Sequence, residues 1–114
     1  MPTGEFSYTK RIPTSQIKQI WKKEYPNKPM PRVEGYILPP KDFRNTVQHL
    51  RKAGNRKSEP KEYGHKLPLN KTVGAVFRDP HTRSFVIIRH EKAAGTVART
   101  VRHELRHIAR GEVG

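Results

Sequence analysis

Cysteine is absent from the 114 residues. That single absence removes disulfide frameworks, thiol nucleophiles and cysteine-based metal sites, so any metal must be held by His, Asp and Glu. Long apolar runs are absent too: none approaches the ~18 residues of a bilayer-crossing helix, so no membrane association is expected. The first fifteen residues, MPTGEFSYTKRIPTS, carry Lys10 and Arg11 with no apolar stretch behind them. A secretory signal is therefore not expected, and the expected location is cytoplasmic or intracellular. Aromatic residues make up only 8% and hydrophobic residues 32%, which points to a modest core under a wet surface.

Acidic groups are also scarce, 10 against 24 lysines and arginines, for a net charge of +14. A field of that sign attracts polyanions. Its distribution gives little further direction, since residues 1 to 57 hold 13 basic and 4 acidic groups and the second half holds 11 and 6. Neither half reads as a detached basic tail, and no pair of helices shows a helix-turn-helix turn.

The chain fits one small domain, residues 1 to 114. Ile17, Ile20 and Trp21 repeat at helical spacing behind Thr14, and Pro26 stops that helix. Arg32 to Leu38 reads as a strand, and Phe43, Val47 and Leu50 mark a second helix up to Ala53 and Gly54. Residues 51 to 68 show no periodicity and read as a loop. Thr72 to Phe77 and Ser84 to Arg89 then form a hairpin around Asp79 and Pro80. The proline-free stretch from Glu91 to Arg110 is predicted to be a long helix ended by Gly111, with Ala94, Val97, Ala98, Val101, Leu105 and Ile108 as its apolar face. The fold class expected is α+β: a short antiparallel sheet whose hairpin packs on the C-terminal helix, with two N-terminal helices.

That last helix carries His103-Glu104-Leu105-Arg106-His107. Two histidines four residues apart stand one turn above each other and can offer two imidazoles to one ion. Taking Val101 as zero, the apolar set spans about −40° to +60°, the arginines 99, 102, 106 and 110 about 100° to 180°, and Thr96, Thr100, His103, Glu104 and His107 about 200° to 300°. The third sector has the composition of a cleft floor bordering the core.

The hairpin, the helix with HELRH and the glycine-ended turn resemble the active-site half of the zincin metallopeptidases, including the small intracellular regulatory proteases and very small archaeal zincins. The resemblance is specific over His103 to His107 and loose over residues 72 to 112. It implies Zn2+ held by His103 and His107, Glu104 as general base, the run Ser84 to Ile88 as a substrate-binding rim strand, and hydrolysis of a protein or peptide substrate.

A catalytic zinc needs a third protein ligand. Glu112 is the local choice, because a left-handed Gly111 would return its carboxylate toward His107. His65, His81, His90 and Glu91 are alternatives, as is a chain cut short after the motif helix. The competing function is a basic nucleic-acid-binding protein with an incidental or structural HExxH site, suggested by the net charge and by the run Arg51 to Lys57.

Overall fold

The computed structural model describes residues 10–56 and 58–113. Their core is a five-stranded sheet in the order β1-β2-β5-β4-β3, formed by β1 (Lys10–Ile12), β2 (Val33–Leu38), β3 (Lys61–Tyr63), β4 (Gly74–Arg78) and β5 (Phe85–His90). Three α-helices accompany it: α1 (Thr14–Glu24), α2 (Pro40–Ala53) and α3 (Val97–Arg110). None of these helices is long and apolar enough to cross a membrane.

The sheet is mixed rather than antiparallel. The β4–β5 hairpin is present as expected, with Val76 opposite Ile87, but β5 also pairs in parallel with β2, Val33 opposite Phe85 and Leu38 opposite His90. Two strands flank β5, so its backbone groups are committed on both sides, and the run Ser84 to Ile88 cannot serve as a rim strand. The strand lies at the centre because Phe85, Ile87 and Ile88 present apolar groups to both faces. The outer strands are β1 and β3.

On one face, Ile12, Val33, Val76, Phe85 and Ile87 pack against Ile17 and Trp21 of α1 and Val101, Leu105 and Ile108 of α3. On the other, Ala75, Phe77 and Ile88 meet Phe43 and Val47 of α2. Trp21 is 3% exposed and its indole N–H donates to the Lys28 carbonyl, so it is a core residue.

Helix α3 begins six residues later than the periodicity suggested. Thr96 caps it by accepting the Arg99 N–H, and Gly95 before it adopts φ +84°, a left-handed conformation that a helix interior does not contain. Ala94 therefore lies outside the helix. Buried Arg89 fixes this approach, donating to the Thr100 hydroxyl and to the carbonyls of Ala93 and Gly95.

The stretch read as a loop, 51 to 68, contains the end of α2 and the three residues of β3. Arg51 lies at its centre: a bidentate pair joins it to buried Glu62 at 2.7 and 3.1 Å, and it also donates to the Leu67 carbonyl. The first residue of the basic run is thus an internal tie.

Candidate metal centre

At the C-terminal half of α3, the ligand atoms of His103, Glu104 and His107 all lie within 4.8 Å of one another. The Nε2 atoms of the two histidines are 3.2 Å apart. Two nitrogens that each stand ~2.0–2.1 Å from a tetrahedrally coordinated zinc are separated by about 3.3 Å. The two imidazoles therefore have the bite of such an ion, and their nitrogen donors have the right chemistry for it.

Gly111 adopts φ +65° and ψ +31° and reverses the chain, as the glycine after the helix suggested. Glu112 consequently returns to His107, where its Oε1 lies 2.9 Å from Nδ1. Nδ1 is the ring nitrogen remote from His103. The Glu112 carboxyl is held below its ordinary range, first by this hydrogen bond and also by the charges of His107, Arg110 and His65. An ionised carboxylate only accepts, so the Nδ1–H donates to it and the Nε2 lone pair is left facing His103.

His103 is disfavoured as imidazolium by desolvation first, then by His107 and Arg106, with Glu112 opposing. The neutral ring is the form that binds metals.

Glu104 projects between these histidines and the sheet and is 4% exposed. Burial, and secondarily the Glu62 carboxylate, push its pKa to about 8. Room for it comes from Gly74 at the start of β4: a Cβ there would stand 3.0 Å from the Glu104 Oε2 and 2.9 Å from the Thr100 methyl. A second glycine lies over His107. Gly64, with φ +86°, follows β3, and a Cβ on it would stand 2.9 to 3.0 Å from Cδ2, Nε2 and Cε1 of the ring. Equal distances to three adjacent ring atoms put that backbone over the face of the imidazole.

The tail beyond Gly111 pairs with the outer edge of β3, the Gly64 N–H donating to the Glu112 carbonyl and Tyr63 bridging Val113. His65, exposed and next to Gly64, is close enough for its charge to act on Glu112. His81 and His90 are not brought to this place. The backbone N–H of His81 donates to Asp79 in the hairpin turn, at the end of β4 away from Gly74. His90 lies on the α2 face of the sheet, with its ring edge-on to Phe43 at 5.5 Å. A cleft of about 420 Å³ between α2 and Tyr36, Phe77 and Val86 is on that same opposite face and contains none of the α3 site residues.

Sequence reasoning did not find Gly64, Gly74, Glu62 or the internal role of Arg51. The signal available for the glycines was their isolation at strand ends, where glycine often marks a close approach of another group.

Comparison with protein-family models, curated proteins and solved structures returns no match. The His103-Glu104-x-x-His107 cluster nevertheless matches the HExxH motif of the zincins, on a helix and with the geometry of a zinc-binding site. These features define a candidate metal centre of zincin type.

Proposed function

We propose that the protein is a zinc-dependent peptidase. The observation that carries the reading is the pair of Nε2 atoms at tetrahedral bite beside a buried glutamate. His103 and His107 hold the ion, and Glu112 serves the centre from Nδ1 of His107, setting the tautomer and orientation of that ring. Zinc, when bound, supplies Lewis-acid polarisation of a carbonyl and a water of lowered pKa. Glu104 would accept a proton from the attacking water onto its carboxylate and return it to the leaving amine. The charge of an ion held by the histidines would favour the ionised carboxylate that this duty needs.

The test is Glu104→Gln. The variant is expected to retain zinc at the wild-type stoichiometry and to lose hydrolysis of an unstructured protein such as casein. Wild-type hydrolysis in that variant would remove Glu104 from the mechanism.

A second reading has one observation in its favour. Arg99, Arg102, Arg106 and Arg110 are exposed along one side of α3, and among the described residues Arg102 alone of the four pairs with an acidic side chain, Glu24 at 3.1 Å. Such a stripe suits a phosphate backbone, and nucleic-acid association through it is compatible with peptidase activity at the neighbouring sector. Filter binding of single- and double-stranded DNA should then weaken steeply with salt, and reversing Arg99 and Arg106 to Glu should flatten that dependence. No retention at low salt would discard the reading.

A further inference from the structure

We infer that His65 is the third protein ligand of the zinc centre. The inference rests on the zinc reading of His103 and His107 and adds the residue that completes it.

His103 and His107 supply two donors, whereas an open catalytic zinc site uses three protein ligands and keeps a fourth position free. Glu104 adjoins them, but its carboxylate is the base of the reaction. Glu112 is placed on the wrong edge of the ring to add a donor: its Oε1 is hydrogen-bonded to Nδ1 of His107, across the imidazole from the Nε2 that faces His103. Moving Glu112 to the ion would break that bond and leave the His107 tautomer unset.

The backbone over the ring belongs to Gly64, whose absent Cβ would touch Nε2 itself at 2.9 Å. The next Cα, that of His65, is only ~3.8 Å further along the chain. In the structure the His65 nitrogens stand outside the 4.8 Å cluster of His103, Glu104 and His107, so the imidazole must turn about its own side-chain bonds to reach the Nε2 region. Its backbone is held on both sides. The Gly64 N–H donates to the Glu112 carbonyl, and the Leu67 carbonyl accepts from Arg51 and from the Thr72 hydroxyl. The His65 side chain is exposed, so no packing has to be undone for the rotation. The remaining histidines offer no such route, since His49 is on α2 on the other face of the sheet, His81 is at the far hairpin turn and His90 faces α2.

The arrangement gives Gly64 a purpose: only a residue without a Cβ lets the chain pass over His107 closely enough to deliver the next side chain to its metal-binding edge. The three ligands then come from two segments, the turn after β3 and the motif helix; Arg51 ties the first to α2, and the Gly64–Glu112 hydrogen bond joins it to the tail that follows the second.

The experiment is a zinc competition titration against a chromophoric chelator, with the visible absorption of the Co2+-substituted protein recorded in parallel, on the full chain and on His65→Ala, Glu112→Gln and His103→Ala. Circular dichroism confirms that each variant is folded. His65→Ala is expected to weaken zinc by more than about 100-fold, beyond the ~10–100-fold range for loss of an outer-shell partner, into which Glu112→Gln should fall. His65→Ala should also change the Co2+ spectrum, and Glu112→Gln should leave its shape intact. Wild-type affinity and spectrum in His65→Ala, together with loss of metal in His103→Ala, would overturn the role of His65 and leave the centre standing. Wild-type affinity in His103→Ala would overturn the centre itself.

Discussion

Glu62 and Glu104 are neighbouring carboxylates buried to the same degree, 6% and 4% exposed, and among the described residues only the first is paired with a cation. Arg51 closes on Glu62 with two hydrogen bonds, while Glu104 has the Glu62 charge nearby and is held in its neutral form up to a pH of about 8. Arg51 stands with Glu62 on the α2 side of the sheet, and among the described residues no cationic side chain pairs with the Glu104 carboxyl.

This asymmetry sets a pH dependence for the metal-free protein. Glu104 has a folded pKa raised from 4.5 to about 8. Its contribution to stability is therefore greatest below pH 4.5, where it is protonated in both states, and is lost as pH rises toward 8. The full difference is on the order of 5 kcal/mol. In chelator-treated protein, urea denaturation of Glu104→Gln against wild type should show a gap that widens from pH 5 to pH 8 in favour of the variant. A pH-independent gap would contradict the assigned burial.

Gly64→Ala should injure the centre from the outside. The position needs φ +86°, and the added methyl would meet the His107 ring at 2.9 Å. The left-handed conformation costs about 1–2 kcal/mol for a residue with a Cβ, and the ring must turn away from Glu112 or from His103. Thermal melting should fall by several degrees, and zinc affinity by more than the fall in stability accounts for. A variant with unchanged zinc affinity would show that the loop does not rest on the ring.

Arg51→Ala leaves Glu62 buried without its partner. Breaking a buried pair from one side costs about 3–5 kcal/mol, and the variant should lose a comparable amount in chemical denaturation. Hydrogen exchange should quicken first in residues 64 to 72, whose Leu67 carbonyl and Thr72 hydroxyl Arg51 contacts. Stability within about 1 kcal/mol of wild type would mean that the pair is solvated.

Val101→Asp tests the packing face of α3. Val101 is fully buried against α1 and the sheet. An unpaired carboxylate there should cost several kcal/mol, a large part of the stability of a small protein. A melting temperature within a degree or two of wild type would reject that face.

What the sequence displayed and what it hid divide along physical lines. Val101, Leu105 and Ile108 are all buried, because a stripe at three- and four-residue spacing depends on nothing but the helix itself. The return of Glu112 was legible for the same reason, as Gly111 acts over a few residues. The β3 strand was not. Lys-Glu-Tyr has no apolar pattern, and Glu62 is buried only because Arg51, eleven residues away on another element, neutralises it. The parallel pairing of β2 with β5 was hidden too, since each run looks complete alone and parallel partners need no turn to announce them. Within the site, HELRH was visible as a word. The approach of Gly64 and Gly74, and the placing of Glu112 on Nδ1, belong to the assembled structure.

The parallel ladder also governs when the centre comes into being. Val33 finds its partner in Phe85, 52 positions later, and β5 lies between β2 and β4 in the finished sheet. Nothing made before β5 can therefore knit the two halves of the sheet together, and α3 follows β5 after a short turn. Closing so long a loop is entropically costly until the contacts that reward it are in place. The strand that joins the sheet and the helix that bears the histidines therefore emerge together, and the amides of β2, β5 and α3 should gain exchange protection in one concerted phase during refolding.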